Sequence, residues 1–411
     1  MPDQPVLPQE TEARINELGS VDLAVAITAS ERDDAAAALT AARSALTERF
    51  PGMSAVVLYA HPSGTTTALP EQHGTPAVLS LPWSSAGMDA SPGLNSAAAD
   101  LIFTVSRRLR VKASALVGAE VVRNTPEWID RLLAPVMDMD QDLVAPYYLR
   151  HPYAGAVTTG ILYPLVRALY GRRLRYPLGA EVGCSPRLME RMLHHDGRPG
   201  RQAVELRLLV DAIAGGMQIS QAVLGPRRTP TETGGLSSVL ASALSLVFGE
   251  MERSAALWQK VRGSQAVTLL EAAGHSSPEP VSVDAKRMLD AFRLGQQNLG
   301  EVWGAILPPS TLVELKKLAR QPDPTIRLPD RLWSHIVYDF SIAFHTRVMT
   351  SDHLIGALTP LYLGWYGAWY SEMGEVEVAR LEDRLEQLCL HFEAEKPYLI
   401  SRWRWPDRFN P

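Results

Sequence analysis

The chain has 411 residues, 46% of them hydrophobic and 21% charged, the composition of an ordinary globular protein with more than one structural unit. Its formal net charge of -5 argues against a dedicated nucleic-acid binder, which is normally basic. Two cysteines, Cys184 and Cys389, are too few for a disulfide framework or a zinc site and fit a reducing, cytoplasmic setting.

The first stretch, "MPDQPVLPQETEARINELGS", has neither the basic start nor the apolar centre of a signal peptide, and residues 1–20 are read as a flexible tail. "VDLAVAITAS" (21–30) is an apolar run closed by small polar residues, the pattern of a buried parallel strand. The alanine-rich "ERDDAAAALTAARSALTERF" follows with helical spacing and stops at Pro51-Gly52. "SAVVLYA" (54–60) and "PAVLSLPW" (76–83) predict two more strands, with "HPSGTTT" as a turn after the first of them. "SPGLNSAAADLIFTVSRRL" is a loop feeding a helix, and "KASALVGAE" (112–120) is a fourth strand. Beyond it, "VVRNTPEWIDRLLAPV" breaks and then opens a helix on Thr125-Pro126-Glu127. Strands alternating with helices predict a parallel, doubly wound sheet, whose ligands lie where the strands end.

After Pro146 the pattern changes to aromatics, arginines and glycine-containing loops around one helix. From about Gly235 the chain carries 3.6-residue apolar stripes, broken by proline-rich "LPPS" and "RQPDPTIRLPD". The apolar window "GALTPLYLGWYGAWY" is too short and interrupted to span a bilayer. The expected layout is an α/β domain over residues 21–232 and a helical domain over 233–411.

"APYYLRHPYAGAVTTGILYPLVRALYGRRLRYPLGAEVGCS" (145–185) and "LWSHIVYDFSIAFHTRVMTSDHLIGALTPLYLG" (332–364), with "EAEKPYL" following, resemble one family. It is the retaining A-type glycosyltransferases similar to mannosylglycerate synthase and glucosyl-3-phosphoglycerate synthase. The resemblance runs from about Val21 to Trp403 and implies a nucleotide-diphospho-sugar transferase fold with a helical C-terminal domain. It also implies hexosyl transfer from a nucleotide sugar to a small, glycerate-like acceptor, and we expect a homodimer. In that family a DxD motif and a later histidine hold a divalent cation on the diphosphate, neutralising charge that develops as the nucleotide leaves.

Four donor-side positions depart from the family pattern. The first-strand motif reads Thr28-Ala29-Ser30-Glu31, and the loop that usually holds a lysine reads Gly93-Leu94-Asn95. The DxD reads Gly118-Ala119-Glu120, and the metal-binding histidine falls on Arg228 or Thr229 in Leu224-Gly225-Pro226-Arg227-Arg228-Thr229. One carboxylate rarely fixes a cation, so no divalent metal and no other cofactor is expected. Arg227 and Arg228 could neutralise a diphosphate in its place, although two surface arginines are the blander reading. On the acceptor side Arg150, His151, Gly155, Thr158, Thr159 and Glu181 stand at the family's positions, and Glu205 stands where an aspartate is usual. Glu181 and Glu205 are the catalytic candidates, Glu181 being presented at a cleft edge by the turn Pro177-Leu178-Gly179.

Other features weigh toward structure. Arg172, Arg173 and Arg175 suit a phosphate or carboxylate, yet a charge run is usually a solvated face. His194-His195 are adjacent and point apart, and His335 and Asp339, an i,i+4 pair, are read as a helix-packing hydrogen bond. The alternating "RWRW" near the end is expected to pack back onto the protein. Two functions remain open: an active, metal-independent hexosyltransferase, or a non-catalytic relative that binds a metabolite or a partner protein. A third is a subunit supporting an active paralogue.

Overall fold

In the computed structural model, residues 7–29, 35–63, 75–83, 96–194, 204–226, 235–270, 281–374 and 376–406 are described. The chain divides into two compact units, and the division is not sequential. The first comprises 1–148, 176–225 and 267–275, and the second 149–175, 226–266 and 276–411. Residues 149–175 therefore group with the helical part, whereas the sequence reading kept them in the α/β domain.

The first unit is built on an eight-stranded sheet: β1 (Leu23–Thr28), β2 (Ala55–Pro62), β3 (Ala77–Trp83), β4 (Ala113–Gly118), β5 (Leu143–Tyr148), β6 (Val182–Cys184), β7 (Ile219–Gly225) and β8 (Thr268–Leu270). Their spatial order is β3-β2-β1-β4-β6-β5-β7-β8. The sheet is mixed, not wholly parallel as expected, because β6 runs antiparallel to both β4 and β5. A three-residue strand that is also buried carries no alternation to read in the sequence, which is why β6 escaped notice.

Helices cover both faces, as the doubly wound pattern requires. The odd positions of β1 (Leu23, Val25 and Ile27) share one core with the helices Ala35–Arg49 and Trp128–Asp138. The helix Ser96–Arg108 packs on β2 and β3, beside Pro186–Leu193. The helix Gln9–Leu18 occupies part of the expected tail. Thr11 Oγ1 donates to Ser80 O at 3.0 Å and Arg108 clasps Glu12 at 2.7 Å, contacts that tie it to the sheet edge.

The second unit is helical among its described residues apart from one isolated bridge, Arg172 to Gln265. The longest helix among its described residues, Ser351–Met373, lies against Ala285–Asn298 on small residues. A Cβ on Gly364 would stand 2.7 Å from the Phe292 ring, and one on Gly295 would stand 2.5 Å from Pro360, so only glycine permits this approach. Indole rings of Trp333, Trp365 and Trp369 stack at 5.5 and 5.4 Å between centroids. No helix among the described residues is long and apolar enough to cross a membrane.

Candidate functional site

The strand order reverses between β1 and β4, since β2 and β3 continue on one side of β1 and β4 lies on the other. This is the point where open α/β sheets leave a crevice beyond the carboxyl ends of their strands. Thr28 and Gly118 are direct partners there, at the last positions of β1 and β4. Thr28 is half-buried, with its hydroxyl a long 3.5 Å from Val117 O. The strand "KASALVGAE" stops two residues earlier than predicted. The helix Ala119–Asn124 starts directly after Gly118 and places Glu120, exposed, in its first turn. The helix read as opening on Thr125 begins at Trp128.

The metal motif of the resembled family falls on residues 118–120. Gly118 has no side chain and Ala119 is a buried methyl, which leaves Glu120 as the one carboxylate of the motif. Among the described residues no three His, Cys, Asp or Glu side chains gather as a metal site. Space is not the obstacle, because a Cβ on Gly118 would meet nothing nearer than Val121 at 3.9 Å. Glu31, Leu94, Asn95, Arg227 and Arg228 lie outside the described residues.

Glu181 overturns its expected exposure. The Pro177-Leu178-Gly179 turn leads it into the unit, where it is fully buried and its Oε2 accepts a hydrogen bond from the Tyr148 hydroxyl. The register of β5 against β7 shifts between Tyr147 and Tyr148, and such an irregularity re-aims the side chain beside it. Tyr176 donates to Tyr148 O at 3.0 Å and meets its ring edge-on at 4.8 Å, and Trp128 closes the cluster at 5.9 Å. Gly179 is required beneath it, since a Cβ there would stand 2.2 Å from Pro146. In the sequence this cage shows as the aromatic run "PYY" (146–148), which by itself does not point to Glu181. Glu205 is likewise buried, in the first turn of the helix Val204–Ala214, so neither catalytic candidate is presented to solvent in this unit.

The acceptor candidates Arg150, His151, Gly155, Thr158 and Thr159 all belong to the second unit, in one segment. His151 Nδ1 accepts the Tyr153 N–H at 3.3 Å and opens a 3-10 turn, Pro152–Gly155. Burial holds the imidazole below its ordinary pKa, against a smaller opposing pull from Glu382. A π-helical turn, Thr158–Leu162, then leads into the helix Tyr163–Tyr170. Such turns are rare and often accompany function. Thr159 spends its hydroxyl on Pro152 O at 3.0 Å, whereas Arg150, His151, Gly155 and Thr158 keep partial exposure. Of the acceptor set, Thr159 is a structural member.

The arginine run makes contacts within its unit and is not a bare solvated face. Arg175 is buried, 3.1 Å from Glu382 and over the Tyr163 ring, and Arg173 reaches Ser264 at 3.2 Å. Arg172 bonds Gln265. His335 and Asp339 do not bond each other: His335 Nε2 pairs with Glu395 at 2.7 Å and stacks on Tyr398, while Asp339 takes Tyr398 and Arg402 at 2.8 Å each. Of the "RWRW" segment, Trp403 packs back against Trp258, while Trp405 is 77% exposed. His194 Nδ1 lies 2.7 Å from Glu190 O, and His195 is outside the described residues.

No protein-family model matches the sequence, and a search of curated proteins finds no match. Solved structures with some likeness include glucosyl-3-phosphoglycerate synthase from Mycobacterium tuberculosis, 19% identical over 58% of this chain and 84% of that one, with a TM-score of 0.39. The same enzyme in complex with Mn2+ and UDP-glucose is 17% identical, covering 58% and 82%, at a TM-score of 0.39. Its complex with Mn2+, UDP and phosphoglyceric acid is 21% identical, covering 56% and 81%, at 0.36. Likeness at this level is too slight to carry either fold or function over to the present chain.

Proposed function

We propose that the protein is a glycosyltransferase-type hexosyltransferase that takes a nucleotide sugar and a small hydroxylated, glycerate-like acceptor without a divalent metal. The observation that carries this reading is the crevice position at the β1/β4 reversal. Thr28 and Gly118 end side by side there, and the exposed Glu120 stands immediately beyond. The resemblance in residues 145–185 and 332–364 supplies the chemical class. Departure of a nucleoside diphosphate needs positive charge, and in this reading Arg227 and Arg228 provide it in place of a cation. The resemblance assigns Arg150, His151 and Thr158 to the acceptor's carboxylate or hydroxyls. Glu181 acts through Tyr148 and Tyr176 as a positioning residue, since its carboxylate is enclosed.

A second reading is favoured by one specific observation. A lone carboxylate at 118–120 is what a non-catalytic relative, keeping the fold to bind a small anion, would retain. Calorimetry with UDP- and GDP-sugars, with and without manganese, separates the two. Nucleotide binding that manganese does not change is expected. If phosphoglycerate binds and neither nucleotide does, the non-catalytic reading replaces the enzyme. The variant Gly118→Asp adds a second carboxylate at a position where a Cβ meets nothing nearer than 3.9 Å, and nucleotide binding should then become manganese-dependent. Manganese dependence already present in the unaltered chain would overturn metal independence. The homodimer expected from the resemblance belongs to the same proposal, and a single 45.1 kDa species in sedimentation would exclude it.

A further inference from the structure

The first unit has a cavity of about 260 Å³ at the amino-terminal end of β4, the end opposite Gly118. Strand β4 separates the two places by about 17 Å at the usual rise per residue. Arg107, Arg110 and Lys112 line the cavity with one carboxylate, Glu190, and Asp22 pairs with Lys112, which leaves a net charge of +1. Val111, Met189 and Pro186 make the rest of the wall apolar.

Arg110 stands out on conformation. The helix Ser96–Arg108 ends in a Schellman arrangement: Arg110 N–H donates to Arg107 O at 3.1 Å and Val111 N–H to Ser106 O at 3.0 Å. This places Arg110 at φ +52, a position that glycine normally fills because a Cβ is strained there. Arg347 holds the corresponding position, φ +55, after the helix Asp330–His345 in the second unit. There the guanidinium is spent: it bonds Phe344 O, pairs with Glu252 at 2.8 Å and covers the Phe344 ring. The Arg110 guanidinium has no polar partner among the described residues. Its neighbours are partly engaged, Lys112 with Asp22 at 2.8 Å and Arg107 with Glu190 at a long 3.6 Å. Ser106, another wall residue, has a buried hydroxyl without a hydrogen-bond partner. Arg110 is exposed, and its left-handed backbone beside a cavity, with no polar partner among the described residues, is a feature the described fold does not use.

We infer that this cavity is a second ligand site, separate from the β1/β4 crevice, for a small amphipathic anion: a phosphate or carboxylate head held by Arg110 with Arg107 and Lys112, and an apolar body of about one ring against the exposed Pro186, with Val111 and Met189 behind it. The volume, a little below the range of drug-sized pockets, sets that limit on size. Guanidinium takes such a head through two parallel hydrogen bonds.

The test is calorimetric titration of the full chain with phenyl phosphate, beside inorganic phosphate and phenol. One equivalent of phenyl phosphate should bind, more tightly than either fragment. Arg110→Gly should bind it at least about ten-fold more weakly, the loss of one charge-assisted contact, yet melt at a higher temperature because the strain is relieved. Arg110→Gln, which keeps a side chain at the strained position, should lose the binding without the gain in melting temperature. No binding to the unaltered chain, unchanged affinity in Arg110→Gly or Arg110→Gln, phenol binding as tightly as phenyl phosphate, or displacement by UDP would each overturn the proposal. UDP binding that survives in both variants keeps this site distinct from the proposed nucleotide crevice.

Discussion

Lys396 is buried, and its ammonium donates to two carbonyls, Leu169 O at 3.0 Å and Val261 O at 3.1 Å. Burial, and secondarily Arg262, pull its pKa down to about 7, with Glu393 opposing. The folded chain therefore sheds this proton near pH 7, while the unfolded chain keeps it until about 10.5. Between those values the unfolded state binds more protons, so stability should rise with pH from about 7 to 10.5 and fall as pH drops back. Urea midpoints across that range should show the slope, and Lys396→Met should flatten it; an unchanged slope in the variant would assign it to other groups. Tyr148 offers a second test at this scale. Tyr148→Phe removes the hydroxyl that holds the buried Glu181, and should cost about 1–3 kcal/mol of stability by the same measurement. A loss well below that would mean the carboxylate is re-solvated on removal, and so lies nearer water than its burial shows.

At the scale of elements, one contact in each unit shows what decides the packing. In the second, Arg167 of the helix Tyr163–Tyr170 is fully buried and forks onto Glu386 at 2.5 and 2.7 Å, with its Nε 2.6 Å from Glu393. Both carboxylates lie on Val378–Ala394, so one guanidinium fastens two helices together, and its hydrogen bonds hold the Glu386 pKa down. Arg167→Met leaves Glu393 half-enclosed without its cation and should destabilise the unit by about 3 kcal/mol. Because a single ammonium cannot reproduce the planar fork, Arg167→Lys should recover only part of that loss. Full recovery in thermal melts would show that charge alone, not the fork, is what counts. In the first unit, Gly183 of β6 passes beneath the helix Trp128–Asp138. A Cβ there would stand 2.2 Å from Leu132 O, which is backbone and cannot rotate away. Gly183→Ala should therefore cost about 1–3 kcal/mol or more by chemical denaturation, and a neutral effect would place the helix farther from the sheet.

For the whole molecule, the order of strands decides where a nucleotide could lie, and the division into units decides which candidate residues can be discussed together. The acceptor set 150–159 and the carboxylates Glu181 and Glu205 are neighbours in sequence but fall in different units. The proposed activity thus stands or falls on ligand binding to the intact chain, with manganese as the discriminating variable.

The sequence by itself determined the strands β1 to β4 and the helices that alternate with them, because long apolar runs and strong stop signals such as Pro51-Gly52 leave few other local structures open. It also determined the helical character after residue 235, and the lack of a second carboxylate at Gly118-Ala119-Glu120 needs no coordinates. The tertiary structure alone decided the rest. The antiparallel β6 owes its direction to its neighbours and not to its three residues. Glu181 follows a turn that looks exposed, and only the Tyr148–Tyr176–Trp128 cage, assembled from three separate segments, encloses it. The charged partners of Arg167, Arg175 and Asp339 lie more than fifty residues away along the chain, beyond the reach of any local pattern. The strain at Arg110 is equally invisible in sequence, because an arginine after a helix announces neither a positive φ nor a missing partner.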